Sequence, residues 1–219
     1  MHQKMSTPVK KALIGIDWQL CFSRPLNSLP GRGVGALYVE GAEEALAAFN
    51  MLRASDTWNF YAQSRDAHPE NHVSFVNNHV GATVFSTIQT PLGPQVLWPE
   101  HGIDGTPGAD VDPNLTDSIV DHIYKKGANP IADSYSICGD ATTEKLYERT
   151  SIIEDLRRAG IEEVDIGGLA LNYCVAFSAL DLAEAGFLVR VHLACCRAVP
   201  DGTLHVQMTA MRDAGVLFV

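Results

Sequence analysis

The segment that decides the fold is EVDIGGLALNYCVAFSALDLAEAG, residues 163–186. Its first four residues favour a β-strand, and residues 175–186 favour a helix that ends at Gly186, so a strand passes directly into a helix. Cys174 lies at that junction, where free backbone N–H groups and the positive end of the helix dipole favour a thiolate and an oxyanion. The position indicates a nucleophile, although it also fits a buried cysteine in a turn of small residues.

Strand and helix patterns alternate through most of the remaining chain. The predicted strands are residues 12–17, 58–64, 118–124, 163–166, 187–193 and 216–219, and the predicted helices are residues 40–54, 143–160, 175–186 and 201–214. This order predicts a three-layer α/β fold, in which helices cover both faces of a mostly parallel six-stranded sheet. The length suits a single domain over residues 1–219. Residues 69–113 lack a regular pattern and are rich in Gly, Pro and His, which is typical of a functional loop.

Composition excludes several classes of protein. The formal net charge is -10, which argues against nucleic acid or an anionic membrane as a partner. The five cysteines have no regular spacing, so a disulfide framework is not expected and a reducing compartment fits better. We find no apolar run long enough for a signal peptide or a membrane span. The sequence therefore predicts a cytoplasmic protein.

Four polar or reactive side chains come at or just after the ends of predicted strands: Asp17, Asp66, Lys126 and Cys174. In an open parallel sheet the carboxyl ends of the strands border the ligand crevice. A thiol there can attack a carbonyl or a nitrile if a base is near, and Asp17 is the candidate base. Lys126 is the candidate for holding negative charge. Taken singly, Asp17 also fits a turn cap, and Lys126 also fits a solvated turn.

A second cluster suggests a metal site. Asp66 and His68 are two residues apart, on one face of an extended segment, and His72 and His101 follow in the irregular region at about residues 65–113. One carboxylate with two or three imidazoles suits a divalent transition metal. A polar loop that happens to be rich in histidine is the alternative.

Six motifs in order along nearly the whole chain carry a resemblance to a known family. They are Ile16 to Phe22, Ser64 to Phe75, Leu97 to His101, Gly105 to Ala109, Lys126 to Ser136, and Gly168 to Val175. In these motifs the chain resembles the nicotinamidases, which are cysteine amidohydrolases of the isochorismatase-like superfamily. The resemblance implies the three-layer fold of that superfamily and hydrolysis of nicotinamide to nicotinate and ammonia, in NAD salvage.

The resemblance also implies a role for each matching residue. Cys174 would be the nucleophile, Asp17 the proton acceptor and donor, and Lys126 the third member of the triad. The backbone N–H groups of Ala170 and Cys174 would form an oxyanion hole, with a cis peptide bond between Leu169 and Ala170.

The metal and the pyridine ring would be bound nearby. Asp66, His68 and His101 would hold one divalent ion, with zinc favoured and iron and manganese as alternatives; His72 is a weaker candidate. The side chains that would enclose the ring are Phe22, Trp98, Tyr135 and Tyr173. The expected partner is the small molecule nicotinamide, and a homo-oligomer stays open.

Some positions depart from the family pattern: Leu20, Cys21, Gly102, Asn172 and Ile137-Cys138. They leave pocket shape and substrate preference open. The alternative functions are an amidohydrolase of the same superfamily with another small carboxamide as substrate, an inactive binding module, and a metal hydrolase in which Cys174 is structural. The intact Asp17, Lys126 and Cys174 argue against the binding module, and the metal residues argue against the first alternative.

Overall fold

A buried central strand, β1 (Lys11–Ile16), organises the structure. Ala12, Leu13 and Ile14 have no exposed surface, as expected for a strand of a parallel sheet with both faces covered. The structure is a computed structural model, and it describes residues 8–116, 122–139 and 149–219.

Twelve further strands and α-helices follow in chain order within these residues: α1 (Leu20–Ser23), α2 (Ala42–Ser55), β2 (Phe60–Asp66), β3 (Thr87–Thr90), β4 (Gly93–Val96), β5 (His122–Lys126), α3 (Ile152–Ala159), β6 (Glu163–Leu169), α4 (Ala176–Glu184), β7 (Leu188–Arg197), α5 (Leu204–Asp213) and β8 (Leu217–Phe218). A π-helical turn, Leu171–Val175, connects β6 to α4.

The main sheet confirms the predicted α/β class. Its six strands lie in the order β5-β2-β1-β6-β7-β8, and every neighbouring pair is parallel. Successive side chains of β1 pack in the two cores on opposite faces of the sheet, because side chains alternate between the faces along a strand. Ile14 packs in the core that holds Leu156 of α3, whereas Leu13 packs in the core that holds Phe49 of α2. Helices therefore cover both faces of the sheet.

Several boundaries differ from the sequence prediction. The region at 69–113 contains an antiparallel hairpin of β3 and β4, and β7 extends to Arg197. The last helix begins at Leu204 with Thr203 at its cap position, so Asp201 lies two residues before that cap. Residues 118–121 of the third predicted strand and residues 143–148 of the second predicted helix lie outside the described residues.

Two local features concern the segment with Cys174. The peptide bond between Leu169 and Ala170 is cis, as the resemblance implies. The turn that follows has π-helical geometry, and the Ala170 carbonyl accepts hydrogen bonds from the N–H groups of Tyr173 and Val175.

None of the described helices has the length and apolarity that crossing a membrane requires.

Candidate active site

The structure brings Asp17, Lys126 and Cys174 together at the carboxyl edge of the sheet. Asp17 follows β1 directly with a φ of 50°, Lys126 is the last residue of β5, and Cys174 lies in the π-helical turn after β6. The Lys126 Nζ is 2.9 Å from Asp17 Oδ2 and 3.3 Å from Cys174 Sγ. One ammonium group therefore contacts both the thiol and its candidate base.

Lys126 also donates a hydrogen bond to Asp66 Oδ1. The side chains of Lys126 and Asp17 are fully buried, and burial by itself would lower the pKa of this lysine. The negative charges of Asp17 and Asp66 outweigh burial, so the pKa of Lys126 lies well above its ordinary value. The shift favours the ammonium form of Lys126, which leaves Asp17 as the candidate base.

Burial raises the pKa of the Cys174 thiol well above its ordinary value, and the Lys126 ammonium opposes that rise. Burial also raises the pKa of Asp17, again against the effect of Lys126. Because desolvation disfavours both charged forms, the thiol keeps its proton until a base removes it. Asp17 is suited to that transfer, because its carboxyl is held against the same ammonium as the thiol.

Ser64 fixes the orientation of Asp17 and was missed in the sequence analysis. Its hydroxyl donates to Asp17 Oδ1 at 2.6 Å and accepts from the Asp17 backbone N–H at 3.1 Å. Ser64 is buried and lies two residues before Asp66 in β2, so both side chains are on one face of the strand. A serine two residues before Asp66, on the face of β2 that also holds Phe60 and Ala62, is the signal that could have identified it.

Asp66, His68 and His101 form a buried cluster whose ligand atoms lie within 4.8 Å of one another. Asp66 Oδ2 is 3.5 Å from His68 Nε2 and 3.7 Å from His101 Nε2. Zinc bonds of about 2.0–2.1 Å in a tetrahedron imply ligand atoms roughly 3.3 Å apart, so the spacing fits such an ion. The Nδ1 atom of His68 is 2.7 Å from the Gly127 carbonyl, and the Nδ1 atom of His101 is 2.7 Å from the Pro99 carbonyl. These contacts orient both rings so that their Nε2 lone pairs point into the cluster.

The pKa values of the two histidines shift in opposite directions. Burial and the neighbouring His68 lower the pKa of His101 to about 4. Burial also acts to lower the pKa of His68, but Asp66 outweighs it and raises that pKa. Neutral imidazoles are the form that binds a metal, and the carboxylate of Asp66 supplies one negative charge. The donor set therefore fits a divalent cation.

His72 lies beside this cluster, but its ring is otherwise engaged. Its Nδ1 is 2.7 Å from Ser74 Oγ and its Nε2 is 3.2 Å from the Ala132 carbonyl. Burial and His68 lower the pKa of His72 to about 4. His72 also approaches His68 and Asp133 closely enough to form a second grouping. Since both ring nitrogens already have partners, a supporting role fits His72 better than a ligand role.

The four aromatic residues singled out in the sequence line one cavity: Phe22, Trp98, Tyr135 and Tyr173. The cavity is also lined by Cys174 and Ala170 and by the candidate metal ligands Asp66, His68 and His101. Trp98 Nε1 donates to the Tyr135 hydroxyl at 3.1 Å, and the Trp98 and Tyr173 rings meet edge to face at 4.8 Å. The walls that the sequence analysis missed are Leu37, Val39, Asp133, Ser134 and Val199.

An aromatic cavity thus connects a thiol to a candidate metal cluster. The thiol shares a buried lysine with a carboxylate, at the edge where ligands bind in parallel α/β sheets. Fold and site together fit the class of hydrolases that are built on a parallel α/β sheet and have a cysteine as the candidate nucleophile.

The chain belongs to the isochorismatase family, because the model of the isochorismatase domain matches residues 11–218. It is 36% identical to a nicotinamidase of Acinetobacter baylyi over an alignment of 206 residues. The alignment covers 94% of this chain and 90% of that protein. A nicotinamidase of Escherichia coli is 34% identical over 158 residues, covering 71% of this chain and 72% of that protein.

Solved structures agree with this assignment. A nicotinamidase/pyrazinamidase from Acinetobacter baumanii has a TM-score of 0.85 at 32% identity, covering 98% of this chain and 97% of that one. The yeast nicotinamidase bound to the inhibitor nicotinaldehyde has a TM-score of 0.82 at 27% identity, over 95% and 99% of the chains. A Pyrococcus horikoshii pyrazinamidase in complex with zinc has a TM-score of 0.71 at 26% identity, over 96% and 98%.

Proposed function

We propose that this chain is a nicotinamidase, which hydrolyses nicotinamide to nicotinate and ammonia in NAD salvage. The observation that carries the proposal is the aromatic cavity that joins Cys174 to the cluster of Asp66, His68 and His101. A pyridine carboxamide has matching ends, namely a ring nitrogen for the cluster and a carbonyl carbon for the thiol. The nicotinamidase relatives support the same substrate.

The first half of the reaction forms a thioester. Asp17 takes the proton of the Cys174 thiol, and the thiolate attacks the carboxamide carbon to form the sulfur–carbon bond. The N–H groups of Ala170 and Cys174 donate to the oxygen that becomes negative, and one such donor is worth about 3 kcal/mol in a transition state. Asp17 then gives its proton to the nitrogen, the carbon–nitrogen bond breaks and ammonia leaves.

The second half regenerates the thiol. Asp17 removes a proton from a water molecule, whose oxygen attacks the thioester carbon. The sulfur–carbon bond breaks, the proton on Asp17 returns to the Cys174 sulfur, and the acid leaves as nicotinate after giving its own proton to solvent, where ammonia can accept it. Lys126 stabilises each anionic form in turn, since its ammonium contacts both Asp17 and Cys174.

Asp66, His68 and His101 are the proposed ligands of one divalent ion. Zinc suits one carboxylate and two imidazoles, and the Pyrococcus horikoshii relative in complex with zinc supports this choice; iron and manganese are the alternatives. When bound, the ion would attract the pyridine nitrogen and so orient the ring. The aromatic walls, Phe22, Trp98, Tyr135 and Tyr173, would contact the ring and limit the orientations that it can adopt.

The remaining assignments are also part of the proposal. Residues 1–219 form a single domain, and the metal ligands come from the region at about residues 65–113. The cytoplasmic location and a homo-oligomeric state stay predictions.

An ammonia-release assay on nicotinamide tests the function. The wild-type chain should release ammonia, and Cys174→Ala should not, because the thioester cannot form. Cys138→Ala is a matched control, since Cys138 is also buried but is not among the residues that line the cavity, and it should keep activity. A chelator should lower the rate, with recovery on adding zinc. Wild-type activity in Cys174→Ala would remove the nucleophile assignment.

A further inference from the structure

A buried asparagine attaches the turn that carries Cys174 to the segment after β7. Asn172 has no exposed surface. Its Nδ2 lies 2.9 Å from the Val199 carbonyl, 2.9 Å from Asp201 Oδ1 and 2.8 Å from Thr203 Oγ1. Its Oδ1 accepts the Val199 N–H at 2.9 Å. One side chain therefore fixes both backbone polar groups of Val199.

Asp201 extends this connection to the neighbour of Asn172. The Tyr173 hydroxyl donates to Asp201 Oδ2, while Asp201 Oδ1 accepts from Asn172 and from the N–H and hydroxyl of Thr203. The carboxylate thus joins two consecutive residues of the π-helical turn to the start of α5. These hydrogen bonds to the charged form lower the pKa of Asp201, although burial acts to raise it.

The two residues held in this way are walls of the cavity. Val199 and Tyr173 both line it together with Cys174, and the Tyr173 ring meets Trp98 edge to face. A shift of the segment at 199–201 relative to the turn would therefore change the width of the space available to a flat ring.

We propose that Asn172 and Asp201 are positioning residues that determine how tightly the cavity holds the substrate ring, by fixing Val199 and Tyr173. The proposal rests on the proposed hydrolysis of nicotinamide and assigns the residues that control ring binding. Asn172 is one of the positions at which the chain departs from the family pattern, and its amide matches its surroundings. A carboxylate there would face three oxygen acceptors within 2.9 Å, one of them on Asp201.

This charge requirement makes Asn172→Asp a sharp test, because the substitution keeps the shape of the side chain. It removes the donors and sets two carboxylates against each other. The KM for nicotinamide should rise about tenfold, because a hydrogen bond to a charged group contributes about that factor to an equilibrium constant. The kcat should stay within about threefold, since ring contacts act equally in the ground state and the transition state.

A second substitution tests whether the two residues act as a pair. Adding Asp201→Asn to Asn172→Asp removes the repulsion and restores one donor, so KM should fall by about threefold or more from that of the single variant, as expected for coupled neighbours. Independent effects of the two substitutions on KM would contradict the pairing.

Asn50→Asp is the matched control, because Asn50 donates to the Asn114 carbonyl away from the cavity. The KM of the Asn50→Asp variant should equal that of wild type.

Tyr173→Phe keeps the proposal testable if Asn172→Asp does not fold. It removes only the hydroxyl that reaches Asp201, and KM should rise by about threefold with little change in kcat. An unchanged KM in this variant and in any folded Asn172 variant would overturn the proposal, as would a loss confined to kcat.

Failure of the inference and failure of the proposed function give different results. A wild-type chain that releases no ammonia from nicotinamide refutes the function. An active wild type with unchanged KM in the variants refutes only the positioning pair.

Discussion

Removal of the Ser64 hydroxyl should change the pH dependence of the reaction. In Ser64→Ala, Asp17 loses the 2.6 Å hydrogen bond at Oδ1, which favours its carboxylate form and lowers its pKa. Burial already raises the pKa of Asp17, so losing this hydrogen bond raises it further. Because Asp17 must be ionised to take the thiol proton, the acidic limb of the kcat/KM profile should move to higher pH.

The size of the effect follows from the charge of the acceptor. A hydrogen bond to a charged group contributes about 1.5–3 kcal/mol, which corresponds to a factor of roughly 10–100 in the ionisation equilibrium. On the acidic limb, kcat/KM should therefore fall by about 10- to 100-fold at a given pH. On the plateau above the limb the loss should be smaller, since Asp17 is ionised there in both proteins.

The assay is ammonia release from nicotinamide at low substrate concentration across a series of buffers of constant ionic strength. Ser178→Ala is the matched control, because Ser178 is also fully buried and its hydroxyl accepts the Ile137 N–H at 2.9 Å. The acidic limb of the kcat/KM profile should lie at the same pH in Ser178→Ala as in wild type, even if this variant unfolds more easily. If the acidic limb in Ser64→Ala stays at the wild-type pH or moves to lower pH, the role of Asp17 as the base is refuted.

Three further predictions concern the metal cluster and the core. His101→Ala should lose the equimolar metal that elemental analysis detects. His72→Ala should keep that metal, because both ring nitrogens of His72 already have protein partners. Metal retained in His101→Ala and lost in His72→Ala would make His72 the ligand instead of His101. Gly127→Ala should weaken metal binding by roughly 10- to 100-fold in a chelator competition, since a Cβ at this position would collide with the His68 ring. Unchanged affinity would contradict that geometry. Phe49→Ala should lower the free energy of unfolding in urea by about 3–5 kcal/mol, because Phe49 is fully buried against Trp18, and a loss below about 1 kcal/mol would be inconsistent with that packing.

The fold and the edge of the sheet could be predicted because they depend on local patterns. Continuous apolar runs such as β1 identify buried parallel strands, and the residue after each run then falls at the carboxyl edge. Asp17 and Lys126 were predictable on this basis. The β3–β4 hairpin was not, because Gly93 and Pro94 disfavour strands and its residues are at least partly exposed.

The contacts within the site depend on tertiary structure, which local patterns do not encode. Sequence reasoning indicates that Lys126 lies near Asp17, but not that the same ammonium also binds Asp66. Val39 and Val199 are ordinary apolar residues in loops, and only the folded chain makes them walls of the cavity. Asn172 was visible as a departure from the family pattern, yet its partners lie beyond the next helix and strand.

The central position of β1 has a consequence for how the chain is made. One edge of β1 pairs with β2, which follows soon in the sequence, but the other pairs with β6 at residues 163–169. During synthesis the first half of the sheet can assemble while the edge of β1 that later pairs with β6 still lacks its neighbour. Such an apolar, unpaired edge favours association between nascent chains. We therefore expect soluble yield to depend on translation speed between β2 and β6, and truncation before Glu163 to give aggregates rather than a folded half.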